Sequence, residues 1–160
     1  MRILLVEDEL HLHEALKLNL TMEGYEVSSA YDGPKALQQI QGAIFDLIIL
    51  DIMLPGIDGY AIIETVRIHN NNTPILILSA KNTSADRILG LKKGADDYLF
   101  KPFLEEEVVI KLENLFIKKD FKENITTFNK KEIIFQEGKT QIIINNETIT
   151  LTSVEYQMVK

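Results

Sequence analysis

Five short apolar runs recur along the first two thirds of the chain: Arg2 to Val6, Glu26 to Ala30, Phe45 to Leu50, Ile75 to Leu78 and Asp97 to Phe100. Between the first two, Leu12, Ala15, Leu16 and Leu20 have helical spacing, and Pro34 suits the first turn of a second helix. Asp58 to Ile68, Ser84 to Lys92 and Glu105 to Phe116 supply three more helical patterns. A strand followed by a helix, five times over, predicts an α/β fold. Parallel strands need long crossovers, and these are right-handed almost without exception, so the helices must cover both faces of a doubly wound parallel sheet.

The remaining composition narrows the class. At 160 residues and 46% hydrophobic content, the chain suits one domain plus a fragment, with enough apolar mass to fill a core. MRILLVEDE meets its acids too early for a signal peptide, and no run approaches the ~18 apolar residues of a membrane span. There is no cysteine, which removes disulfides and thiolate metal sites and agrees with the cytoplasmic location expected of such a chain. The net charge of -7 is uneven: residues 1–118 hold 11 Lys and Arg against 18 Asp and Glu, while 119–160 hold six of each. Neither part has the basic footprint that nucleic-acid binding leaves.

After Phe116 the pattern changes. KKDFKENITTFNK lacks either periodicity and reads as a linker, assigned to 119–128. Strand-like EIIFQ, TQIII and ETITL follow, with turns expected at Glu137-Gly138 and Asn145-Asn146, the paired asparagines suiting a tight hairpin. Thr152 and Glu155 form a capping box for a helix whose apolar face would begin with Val154 and Met158. Residues 129–160 therefore read as a short antiparallel segment and the opening of a helix, the start of a second domain whose remainder is expected to be missing.

Chemistry collects at the carboxyl ends of strands in a sheet of this kind. There the first strand delivers Glu7 and Asp8, the third Asp51, the fourth Ser79 followed by small Ala80, and the fifth Lys101 and Pro102. Clustered carboxylates repel and raise one another's pKa, so three together call for a cation. Mg²⁺ fits, through Asp8, Asp51, a backbone carbonyl near Met53 and waters held by Glu7. With that ion on one side and the Lys101 ammonium on the other, Asp51 can accept the negative charge of a phosphoryl group. Ser79 is placed to hydrogen-bond a phosphoryl oxygen, and Ala80 leaves a donor room to approach. Singly, each residue has an ordinary surface or capping role; their conjunction at the ends of successive strands is what carries the reading. His11, His13 and His69 are read as ordinary surface residues.

VEDE, LDIMLPGIDGY, ILSAK and GADDYLFKPF, in this order over residues 1–118, resemble the receiver domain of bacterial two-component response regulators. INNETITLTSVEYQMV resembles the start of the OmpR/PhoB winged-helix effector domain. The resemblance implies a flavodoxin-like sheet of order 2-1-3-4-5. It implies Asp51 as phosphoacceptor, Glu7 and Asp8 as the acidic pair, the Met53 carbonyl as a metal ligand and Lys101 as phosphoryl contact. Ser79 and Tyr98 would be the switch pair, and Lys101-Pro102 would be cis. The implied partners are a sensor histidine kinase, a second copy of the chain on phosphorylation, and DNA through the missing C-terminal part only, with no membrane.

Arg87, Asp96, Asp97, Glu107, Lys111 and Lys118 lie where the subfamily pairs charges across its dimer. Lys111 departs from the usual arginine and loses a bidentate fork, and Glu105, Glu106, Glu107 and Glu113 make that surface acidic. The chain is expected to be no enzyme beyond its own phosphorylation and dephosphorylation at Asp51. A Mg²⁺-dependent aspartyl phosphohydrolase is the alternative, disfavoured because Met53 stands where a second acid would act. A nucleotide- or flavin-binding domain lacks support, since VEDEL puts acids where a phosphate would sit.

Overall fold

The computed structural model describes residues 1–69, 72–129, 133–135, 141–144 and 147–150. The chain divides into two compact units, Met1–Phe116 and Ile117–Lys160. Strands β1 (Arg2–Val6), β2 (Glu26–Ala30), β3 (Leu47–Asp51), β4 (Ile75–Ser79) and β5 (Asp97–Phe100) alternate with helices α1 (Leu10–Met22), α2 (Gly33–Gly42), α3 (Gly59–His69), α4 (Ser84–Lys93) and α5 (Glu105–Asn129). Among the described residues these strands form a parallel sheet in the order β2-β1-β3-β4-β5. The alternating runs predict the doubly wound parallel sheet, and the order is the flavodoxin-like one that the resemblance implies.

The strand period of two divides the core between the faces. Leu4 and Val6 of β1, Ile48 and Leu50 of β3, and Ile75 and Ile77 of β4 pack with Ala36 of α2 and Ile62, Ile63 and Val66 of α3. Their neighbours Ile3, Leu5, Leu47, Ile49, Leu76 and Leu78 pack with Leu16 and Leu20 of α1 and with Val108, Leu112 and Leu115 of α5. Strands covered on both faces must be apolar throughout, hence the unbroken runs of β3 and β4. Each fully buried Leu or Ile stabilises the fold by about 1.5–3 kcal/mol.

Helix starts follow local chemistry. Asp32 accepts the Lys35 N–H at 2.7 Å ahead of α2, with Pro34 in the first turn. Thr83 and Asp86 form a reciprocal capping box at α4. Glu105, Glu106 and Glu107 occupy the first turn of α5, where acids complement the helix dipole. The Pro55-Gly56 break ends the β3 run: Gly56 takes φ 90°, and a Cβ there would lie 3.0 Å from Cδ of Pro34.

Three differences from the sequence reading stand out. Phe45 is buried but precedes β3, because the backbone of Asp46 already bonds Arg2 and true ladder pairing starts at Leu47. Residues 119–128, read as a linker for want of periodicity, are helical, since α5 continues to Asn129. His13, read as a surface residue, is 0% exposed: it shares the buried stripe of α1 with Leu16 and Leu20. In the second unit, β6 (Ile133–Phe135), β7 (Gln141–Ile144) and β8 (Glu147–Thr150) form an antiparallel sheet in that order. The expected turns at Glu137-Gly138 and Asn145-Asn146, the Thr152 and Glu155 capping box and the helix with Val154 and Met158 lie outside the described residues.

Candidate functional site

Strand alternation also explains which side chains meet at the sheet's carboxyl edge. Glu7 continues the row Ile3 and Leu5, Asp51 continues Leu47 and Ile49, and Lys101 continues Leu99, all on the α1 and α5 side. Ser79 continues Ile75 and Ile77 on the other side, the row to which Tyr98 belongs. The fold thus delivers two acids and a lysine on one side of the edge, and a hydroxyl and a phenol on the other.

The Lys101 ammonium donates to Asp51 Oδ2 at 2.8 Å and also to Glu7 Oε1. Asp51 is 4% exposed and Glu7 0%, whereas Asp8 is exposed. Burial pushes the Glu7 carboxyl up to about 7; the Lys101 hydrogen bond opposes this and the Asp51 charge reinforces it. Burial would lower the Lys101 ammonium, but its bonds to Asp51 and Glu7 outweigh that and raise it. Asp51 Oδ1 accepts the Met53 N–H at 2.9 Å, so the carboxylate also shapes the loop that presents the Met53 carbonyl. That loop folds back on itself: Leu54 and Gly59 both donate backbone N–H groups to the Ile52 carbonyl.

Glu7, Asp8 and Asp51 each place a carboxylate oxygen within 4.8 Å of the others. An all-oxygen set with one exposed member matches a hard divalent cation that keeps part of its water. The Lys101-Pro102 peptide is cis. Ser79 is fully buried and its Oγ accepts the Lys81 N–H at 3.2 Å. Tyr98 is 4% exposed, and its hydroxyl donates to the Lys81 carbonyl at 2.8 Å. Both switch candidates therefore grip the loop between β4 and α4, with Lys81 Nζ above the Tyr60 ring at 5.7 Å.

Residues 3–113 match the response regulator receiver domain family. The chain belongs to that family. The whole chain is 38% identical over 157 residues to the response regulator ArlR of Staphylococcus aureus, covering 98% of this chain and 70% of that protein. The similarity extends past the receiver, in keeping with the OmpR/PhoB type. Among solved structures, the receiver domain of the Francisella response regulator 1452 superposes with a TM-score of 0.70 at 35% identity, covering 73% of this chain and 97% of that one. A response regulator from Chloroflexus aurantiacus gives 0.68 at 42% identity, covering 72% and 97%. No helix of the described residues is long and apolar enough to cross a membrane.

The six charged residues assigned to a dimer surface are scattered in their engagements. Asp97 pairs with Lys111 at 3.0 Å within the chain. Asp96 lies at the opposite end of the sheet from the acidic cluster, where its Oδ2 accepts from Arg67 and from the Ile75 backbone, each at 2.8 Å. Glu107 accepts the Leu104 N–H and so caps α5. Arg87 and Lys118 are exposed on α4 and α5. Sequence reasoning missed His13, whose ring donates from Nδ1 to the Glu7 carbonyl at 2.8 Å and stacks on Tyr31 at 4.2 Å. Its signal was present: residues 13, 16 and 20 share one face of α1.

Proposed function

We propose that this receiver accepts a phosphoryl group on Asp51 from the phosphohistidine of a sensor kinase, with Mg²⁺ bound, and so controls dimerisation and DNA-dependent transcription in the cytoplasm. The observation that carries the reading is the convergence of Glu7, Asp8, Asp51 and Lys101 at one sheet edge. Three carboxylates gathered beside one ammonium form a basin that stores negative charge poorly by itself and well with a divalent cation.

Asp8 and Asp51 carboxylates and the Met53 carbonyl would hold Mg²⁺, with Glu7 anchoring its waters. When bound, the ion supplies neutralisation of charge on the equatorial phosphoryl oxygens. A carboxylate oxygen of Asp51 forms the new O–P bond as the N–P bond of the phosphohistidine breaks, and the imidazole leaves with the bonding pair. Lys101 follows the charge, exchanging its contact with the Asp51 carboxylate for a phosphoryl oxygen. Ser79, released from the Lys81 N–H, turns its hydroxyl to another phosphoryl oxygen. The Tyr98 ring then holds the β4–α4 loop through the Lys81 carbonyl. Turnover is confined to the chain's own acyl phosphate: Met53 offers no second acid for multiple rounds on external phosphomonoesters.

Intact mass after incubation with acetyl phosphate and Mg²⁺ tests this directly. The expected result is one added phosphoryl group in the parent and none in Asp51→Asn. An unmodified parent, or equal modification of both proteins, would overturn the reading.

A further inference from the structure

Gly90 lies inside α4, where a glycine weakens a helix relative to alanine. Its surroundings give the reason for its presence. A Cβ at position 90 would lie 2.8 Å from Cδ1 of Ile77, and 3.1 and 3.2 Å from Cδ2 and Cε2 of Tyr98. The Tyr98 ring has little room to retreat. Phe100 meets it edge-on with centroids 5.2 Å apart, and its hydroxyl is tied to the Lys81 carbonyl. The Ile77 contact involves a terminal methyl that can turn aside, whereas the ring is planar and stiff, so the ring bears the conflict.

The geometry points to Gly90 as a positioning residue of the switch: its bare backbone is the berth that admits the Tyr98 ring to the interior. Residue size at position 90 then sets the balance between a buried and an outward ring. The functional weight of this berth rests on the reading of Ser79 and Tyr98 as the switch pair; the berth itself does not. The acidic cluster is built on β1, β3 and β5 rows of the opposite side, so a methyl at position 90 is expected to leave Asp51 chemistry intact.

The test labels the tyrosines with 3-fluorotyrosine and assigns the Tyr98 resonance with Tyr98→Phe. Fluorine relaxation by dissolved oxygen reports ring exposure, measured on the full chain before any phosphodonor is added. The parent ring is expected to be shielded, and Gly90→Ala to show a several-fold larger oxygen effect. Gly90→Ala combined with Ile77→Val is expected to stay exposed, because shortening Ile77 relieves the methyl contact and not the ring contact. A ring that remains shielded in Gly90→Ala, or shielding restored by Ile77→Val, would overturn the proposal. Should Gly90→Ala fail to fold, recovery of folding on adding Tyr98→Leu supports the clash with the ring, and continued unfolding refutes it. Intact mass after acetyl phosphate is read separately on parent and Gly90→Ala. An unphosphorylated parent would sink the acceptor reading while the ring measurement still decides the role of Gly90.

Discussion

Lys101 Nζ lies 2.8 Å from Asp51 Oδ2 although their strands, β5 and β3, are separated by β4. The lysine reaches across an intervening strand to neutralise a carboxylate that would otherwise stand buried beside Glu7. Removing it leaves two buried acids without a counter-charge, a change of the kind that costs about 3–5 kcal/mol in full burial and less here, because Lys101 is 21% exposed. Lys101→Met is therefore expected to lower stability by about 2 kcal/mol in urea titrations with chelator present. Added Mg²⁺ should recover part of the loss; a parent-like midpoint without metal would contradict the account.

Glu7 gives the opposite sign. Its folded pKa of about 7 lies above its ordinary 4.5, so the folded state binds the proton more tightly. The stability this contributes is complete below about pH 4.5 and is lost as pH rises to about 7. Glu7→Gln removes that loss, and in metal-free buffer at pH 8 should melt several degrees above the parent, corresponding to about 2 kcal/mol. The same substitution should weaken Mg²⁺ binding, measured by calorimetry. A lower melting temperature at pH 8 would show that the ionised carboxylate is an asset to the fold.

Gly59 opens α3 directly against the loop that follows Asp51. A Cβ there would lie 2.6 Å from the Ile52 Cα and 3.1 Å from the Asp51 carbonyl oxygen, and backbone atoms cannot turn aside. Gly59→Ala is expected to cost about 1–3 kcal/mol by overpacking and to slow phosphorylation of Asp51 by acetyl phosphate. Unchanged urea midpoint and labelling rate together would show that the loop has slack.

His13 carries a pH signature of its own. Burial lowers its pKa below the ordinary 6.5, with the hydrogen bond to the Glu7 carbonyl opposing the shift, so the fold favours the neutral imidazole. Its stabilising contribution is complete above about pH 6.5 and is lost as pH falls through the depressed folded pKa. His13→Leu should cost about 1–2 kcal/mol at pH 7.5 through the orphaned Glu7 carbonyl. The gap between parent and variant should narrow as the solution is acidified; a gap that widens would mean that the imidazole is charged in the fold.

The sheet and its acidic edge were readable from the chain because both are governed by local rules. An apolar run long enough for one strand, followed by a helix start, recurs with each chemical residue placed just past the run, so position along the strand gives position in the site. What escaped has separate causes. His13 is polar, and its residue type hid a local signal, the face of α1 that it shares with Leu16 and Leu20. Asp96, assigned from the sequence to a dimer surface, also accepts hydrogen bonds from Arg67 and from the start of β4, contacts 29 and 21 residues away that no local pattern announces. The helical course of 119–128 did leave a signal, Phe121, Ile125 and Phe128 at i, i+4 and i+7, but the charged and polar residues between them make the segment read as a linker.

The division of strand residues between two faces has a further consequence for variation in this protein. One residue inserted between Leu47 and Leu50 would leave that strand as greasy as before, yet every side chain beyond the insertion would change sides. The Asp51 carboxylate would then emerge toward α2 and α3, stranded from its lysine. Length in these strands is under tighter control than identity: leucine, isoleucine and valine can trade places, but the count of residues before the aspartate cannot drift by one.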